Sequence, residues 1–521
     1  MNASAGGSAG REQGDFDMAG GIKSGEVYTP PYASDKLYNH DLAPLKDRFW
    51  GWYQIFCMWM SDVHSVGGYL FAASLFALGL AGWQVLVCLI VGIVIVMYLT
   101  NWVARPGVEL GVPYPVVCRL SFGVYGANVA AIIRGLIAVA WYGIQTYVAS
   151  KALIVVVLKF FPEYAVYGQM YFLGLSYLGW FAFLIMWICQ FLVFYRGMKA
   201  ITVFIDWAGP GVYMVMFALM GWMIYKAGWS NISLTLGEVK YSGGEAFWQM
   251  IVATSLVISY FSGPMVNFSD FSRFSTDMKA VKKGNFWGLP VNFLAFSIVT
   301  VITTSATLPV FGEYLHDPVE IVARVDNTVA VVLGAATFIV ATIGINIVAN
   351  FVSPAFDFAN VSPKHITFIR GGMIAAVGSI FVMPWHLFNS PLVIHYTLDT
   401  LGAAIGPLYG ILVADYFIVK HEHLFVDDLY SDKPDGHYWY HNGYNPAAIK
   451  ALIAGFVVAL LFVVIPQLFF LASFSWGIGA AVGATTYVKL MKGQSGLAVA
   501  RDERGRRKMA LNGDGPTPLP T

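Results

Sequence analysis

Two short polar stretches lie where an apolar sequence has little use for them. The first is "MWMSDVHSVGGY", Met58 to Tyr69, which sets Ser61, Asp62 and His64 just before Gly67 and Gly68. The second is "LVISYFSGPMVNFSDFSRF", in which Gly263 and Pro264 interrupt an apolar run. An imidazole titrates near neutral pH, and burial can move a carboxyl toward it. Asp62 and His64 therefore have the chemistry to take up and release a proton, with the Ser61 hydroxyl beside them. Interior hydrogen bonding without titration is the competing reading. Two further pairs sit four residues apart, so each pair shares a helix face. Trp141 and Gln145 in "AVAWYGIQTYVAS" set an indole plane beside an amide, which suits a flat ring with N–H and C=O edges. Asn346 and Asn350 in "ATIGINIVANFVSPAF" are two amides, for which helix–helix hydrogen bonding is the plainer use.

The elements that must position these groups are membrane helices. Of 521 residues, 57% are hydrophobic and 12% charged, with mean hydropathy +0.63; a soluble domain carries about 25% charged residues. Apolar runs of roughly 20 residues, long enough to span a hydrocarbon core, recur along the chain. The ~10-residue alternating segments of a β-barrel do not dominate anywhere. The pattern predicts an all-α polytopic membrane protein with about 12 spans, near 50–72, 75–99, 127–156, 170–194, 201–225, 246–268, 286–309, 329–353, 368–388, 393–418, 446–467 and 468–490.

Both polar stretches fall inside spans, the first and the sixth. Glycine supports a helix weakly, and proline removes a donor and clashes with the preceding turn. Backbone freed in this way is tolerated at membrane depth only against protein or a water-filled cavity. Interrupted helices at matching positions of two five-span halves mark the binding site of a secondary transporter. Two independent kinks are the plainer alternative. The expected division is a disordered tail at 1–45, repeats at 46–225 and 226–420, a loop at 421–445, two extra helices at 446–490 and a tail at 491–521.

Basic residues set the orientation. Arg48, Arg105, Arg119, Arg196, Lys199, Arg273, Lys279, Lys282, Lys283, Lys364, Arg370, Lys420 and the tail "RDERGRRK" fall on alternate loops, while loops such as "GEYLHDPVEIVARVDN" are acidic or bare. Both termini are expected in the cytoplasm, with the chain in the plasma or inner membrane. The net charge of +1 gives no reason to expect a nucleic-acid partner. Cys57, Cys88, Cys118 and Cys189 lie in or beside apolar runs without metal-ligand spacing, so neither a metal nor a cofactor is expected. An integral membrane enzyme would need a nucleophile or metal constellation; HExxH and GxSxG are lacking, and "KHEHLF" does not place two ligands on one face. A passive channel is the other rival, and counterflow separates it from a carrier. Gly406 to Gly410, "GPLYG", has the spacing of a close helix contact.

Taken together, five stretches resemble the nucleobase–cation symport-1 family, whose members carry hydantoins, allantoin, uracil, cytosine and purines. They are "NHDLAPLKDRFWGWYQIFCMWMSDVHSVGGY", "PYPVVCRLSFGVYGANVAAIIRGLIAVAWYGIQT", "VNFSDFSRF", "ATIGINIVANFVSPAFDFAN" and "GPLYGILVADYFIVKHEHLFVDDLYSDKPDGHYWYHNGYNPAAIKAL", from Asn39 to Lys450 in family order. The resemblance implies a LeuT-like fold of two inverted five-helix repeats plus two helices, working by alternating access. It implies a substrate ring stacked between Trp141 and Phe261, with its edges on Gln145 and Asn350. Sodium-coupled members bind the ion with backbone carbonyls of broken helix 1 and two adjacent hydroxyl side chains on helix 8. Gly344 and Ile345 stand at those two positions here, and Thr342 and Asn346 point elsewhere around the helix. Losing two hard oxygen ligands weakens a sodium site. The resemblance therefore implies import of a planar heterocycle coupled to protons, sodium coupling being the alternative.

Overall fold

The computed structural model describes residues 27–236, 239–387 and 391–492. Nine helices among the described residues are long and apolar enough to cross a membrane. They match nine of the twelve expected spans, and the other three fall outside that set for identifiable reasons. Two are broken helices. The third, Phe368–Phe381, has only 14 residues, which reach about 21 Å at 1.5 Å per residue.

In chain order the spans are α1a (Trp52–Val63) and α1b (Val66–Ser74), α2 (Gly82–Leu110), α3 (Ala127–Phe160), α4 (Tyr177–Tyr195) and α5 (Gly197–Ala227). Next come α6a (Gly243–Tyr260) and α6b (Ser262–Val266, followed by a turn at Ser269–Ser272), α7 (Met278–Phe311) and α8 (Thr328–Val361). The last four are α9 (Phe368–Phe381), α10 (Pro391–Ala414), α11 (Pro446–Val464) and α12 (Ser475–Met491). Apart from isolated bridges, the strands described form one antiparallel hairpin of two residues each, pairing Tyr171 with Ser176 and Phe172 with Leu175.

Small residues close the contact between α10 and α12. A Cβ on Gly406 would lie 2.2 Å from the Trp476 carbonyl oxygen, and one on Gly410 would lie 2.0 Å from that of Ala480. The GPLYG spacing thus acts through close backbone approach, as in other small-xxx-small contacts.

Residues 27–45 depart from the expected disordered tail; residues 1–26 and the tail "RDERGRRK" lie outside the described residues, as do the side chains at 197–200. Leu37 and Leu42 are buried, and Val27 bridges to Leu45. The segment is fastened by polar bonds to distant loops: Tyr28 Oη donates to Asp427 at 2.8 Å, and Arg273 Nη1 donates to the Asp41 carbonyl at 2.8 Å. Averaged composition hid this strap, because the Gly- and Ser-rich start dilutes its few well-placed apolar residues.

Candidate functional site

The first break is made by a serine. α1a ends at Val63, Ser65 is extended (φ −141°, ψ 160°), and its Oγ accepts the Gly68 N–H at 2.8 Å. A serine that caps the next helix in this way satisfies one of its orphan donors. The break therefore lies at His64–Ser65 rather than at Gly67–Gly68, which form the first turn of α1b. The glycines have another use. A Cβ on Gly67 would come within 2.8 Å of Gln145 Nε2, so glycine there lets the amide of α3 reach the broken strand of backbone.

The second break is made by a proline. α6a ends at Tyr260, and Pro264 has no N–H to offer the Tyr260 carbonyl. The turn leaves consecutive aromatics facing opposite ways. Tyr260 stacks on Phe71 of α1b at 4.4 Å and 12°, and meets Trp141 edge-on at 6.5 Å and 83°. Phe261 is 1% exposed and packs against Phe293 (5.2 Å) and Trp59 (6.5 Å). Phe261, expected opposite Trp141, is thus a packing residue in this structure, and Tyr260 holds the place assigned to it.

Between the breaks lies a cavity of about 600 Å³. Trp141, Gln145, Tyr260, Asn350, Asp62 and Arg134 line it together with Gly67, Gly263 and Pro264. Tyr314, His316 and Lys240 line it as well. Asn350 sits in a single π-turn, Val348–Val352, a local widening that recurs at functional sites. Its Nδ2 donates to Asn346 Oδ1 at 2.9 Å. Asn346 in turn donates to Gln190 Oε1 of α4 at 2.7 Å and to Thr146 Oγ1 of α3 at 3.1 Å. Of the two asparagines, Asn346 ties helices together and Asn350 faces the cavity.

The proton candidates separate in the same way. Asp62 lines the cavity, is 3% exposed, and its Oδ1 meets no hydrogen-bond partner among the described residues. His64 does not line it. Its Nε2 lies 3.0 Å from Asn292 Oδ1 on α7, and its ring packs edge-on to Tyr213 of α5 at 4.1 Å. Ser61 faces α8, where a Cβ on Gly344 would lie 3.4 Å from its own Cβ.

Arg134 escaped the sequence reading, although a signal was present. It precedes Trp141 by seven residues, two helical turns, and so shares its face. It is 1% exposed; Nε donates to Asn267 Oδ1 at 3.0 Å and Nη2 to the Ala349 carbonyl at 3.1 Å. One side chain of α3 thereby joins α6b to α8. Asp399 of α10, 6% exposed and also on the cavity wall, was missed with less excuse for finding it, being a lone acid with no periodic partner.

Comparison with known proteins places this geometry. Residues 43–479 match the family described as permeases for cytosine/purines, uracil, thiamine and allantoin. The chain belongs to this permease family. An allantoin permease of Bacillus subtilis is 36% identical over 462 residues, 88% of this chain and 94% of the relative. A purine-uracil permease of Arabidopsis thaliana is 32% identical, covering 84% of this chain and 74% of the relative. The nucleobase–cation symport-1 transporter Mhp1, solved closed with bromovinylhydantoin bound, superposes with a TM-score of 0.69 at 21% identity, over 92% of this chain and all of that one. A sodium-coupled sialic acid symporter shares the fold at a TM-score of 0.58 and 12% identity. The permease is a multi-pass membrane transporter of LeuT-like fold and not an enzyme.

Proposed function

We propose that this permease imports a planar heterocycle, a nucleobase or a cyclic ureide such as allantoin, by alternating access and in symport with protons. One observation carries the reading: an indole, a phenol ring and two carboxamides from α3, α6 and α8 converge on a cavity lined also by residues beside both helix breaks, Asp62 and Gly67 at the first and Gly263 and Pro264 at the second. Aromatic faces favour a flat guest, and Gln145 and Asn350 supply donors and acceptors for its amide edges. Relatives named for allantoin and for purines and uracil support the substrate class. Substrate binding closes the bundle holding α1 and α6 against α3 and α8 because the closed state makes contacts the open state lacks.

Proton coupling is favoured over sodium by the surroundings of Ser61. Gly344 packs there and Ile345 turns to the cavity, so α8 brings no hydroxyl pair to the first break. The two halves, 46–225 and 226–420, act as inverted repeats, and 446–490 supplies two supporting helices. The basic loops and the strap at 27–45 share one end with the 421–445 loop, which supports cytoplasmic termini in a plasma or inner membrane.

Purified protein in liposomes tests this directly. Labelled allantoin, uracil, cytosine, a purine and a hydantoin are offered in counterflow at two pH values. At least one should exchange with saturation, and its accumulation should follow an outside-acid gradient. Trp141→Ala and Asn350→Ala should each weaken affinity about tenfold or more, the scale of 1.4 kcal/mol per decade. Normal affinity in both variants rejects the site.

A further inference from the structure

The cavity floor holds more acid than base. Arg134 is surrounded by Asp62 of α1a, by Asp270 in the turn that follows α6b and by Asp357 of α8, all within 3% of full burial. One guanidinium can balance one carboxylate, and an unbalanced buried charge is too costly to keep. Some of these acids must hold protons, and their hydrogen bonds set Asp270 apart from Asp62, with one oxygen unpartnered among the described residues, and from Asp357, with both. Asp270 accepts the Tyr114 N–H at 2.8 Å and Asn267 Nδ2 at 3.2 Å, which suits an anion. Neither oxygen of Asp357 meets a partner among the described residues, and the residue is fully buried. It packs against α3 next to Arg134, where a Cβ on Gly135 would lie 3.5 Å from its own. Arg134 Nη1 is also without a partner there. The other titratable groups facing Asp357 are Tyr114 and Cys118, on the helix Tyr114–Phe122 between α2 and α3; Arg370 of α9 is turned instead to the His365 carbonyl.

We propose that Asp357 carries the coupled proton, exchanging it with the cavity past Arg134 and Asp62. This rests on the proton-symport reading above. Asp62 and Asp270 ride on the broken helices, while Arg134 and Asp357 stand on α3 and α8. With the cavity as it stands here, Arg134 is held toward Asn267 of α6b, and Asp357 keeps its proton. When α6 moves away, the guanidinium turns to Asp357, which then releases the proton to water on the inner side. One O–H bond forms on the outer side and the same bond breaks on the inner side, and no electron moves.

The test uses the full chain in liposomes with radiolabelled allantoin, or whichever heterocycle of the panel it exchanges. Asp357→Asn should retain counterflow yet lose stimulation by an outside-acid gradient, at least tenfold against wild type. Gradient-driven accumulation at the wild-type level overturns the proposal. Should Asp357→Asn fail to fold, Asp357→Glu decides: accumulation with a displaced pH profile supports the assignment, and an unchanged profile overturns it. Wild-type accumulation that follows sodium and ignores pH would instead remove the proton reading itself. Proton-driven transport in both wild type and Asp357→Asn removes only Asp357.

Discussion

The two breaks perform one task by different means. The first is local: Ser65 caps the helix that follows, three residues away, and the turn needs little from the rest of the molecule. The second is tertiary. Pro264 withholds a donor, and the short helix after it is held by Arg134 of α3 through Asn267, which also bonds Ser353 of α8. A break fixed by its own residues moves as a unit with its helix. A break fixed from across the interface must be released before its helix can move. The contrast teaches that the second break is the one whose support comes from neighbouring helices.

The sharpest way to break that comparison is to remove its long-range support. Arg134→Met leaves buried carboxylates without their cation, a loss of roughly 3–5 kcal/mol. Ser65→Ala removes one cap, about 1 kcal/mol. Thermal midpoints of the purified permease should therefore fall several-fold further for Arg134→Met. Equal losses would show that both breaks are held locally.

Next in size are the two aromatics at the second break, which the comparison assigns to opposite sides. Phe261→Ala opens a hole among Trp59 and Phe293 and should lower stability by about 3 kcal/mol, the low end for a deleted phenyl ring. Tyr260→Ala removes a cavity wall and should reduce substrate affinity about tenfold with a smaller change in thermal midpoint. Affinity lost on Phe261→Ala and kept on Tyr260→Ala would restore Phe261 to the site.

This pair also marks how far the residues could be read without coordinates. Trp141 and Gln145 reach the cavity on one face because α3 is continuous and keeps its 3.6-residue phase, whereas Asn350 reaches it from within the π-turn of α8. Arg134 obeys the same phase and was legible in principle. At a break the phase resets, and a shift of one or two residues turns a side chain from the cavity to the core. Tyr260 is the last residue of α6a and Phe261 the first beyond it, so one residue separates the cavity wall from the core; Asp62 and His64, two residues apart at the end of α1a, likewise point to different sides. The break at His64–Ser65 depends on a serine cap three residues upstream of Gly68, and the glycine pair drew attention away from it.

The first break yields the smallest effect, and it separates two residues that composition treats alike. Asn292 Nδ2 donates to the Gly288 carbonyl at 3.1 Å, so the oxygen of that amide faces His64 and the ring must donate through Nε2–H. Tyr213 Oη directs its one O–H between the Asn292 carbonyl at 2.7 Å and the same amide oxygen at 2.8 Å. A second ring proton, at Nδ1, would find no acceptor among the described residues. The imidazole thus stands as a hydrogen-bond donor to α7, packed against α5. His64→Gln can restore the N–H···O bond from an amide. Its stability should fall by about 1 kcal/mol or less, while the pH profile of accumulation stays that of wild type. A variant that exchanged substrate normally but ignored the proton gradient would return His64 to the coupling path.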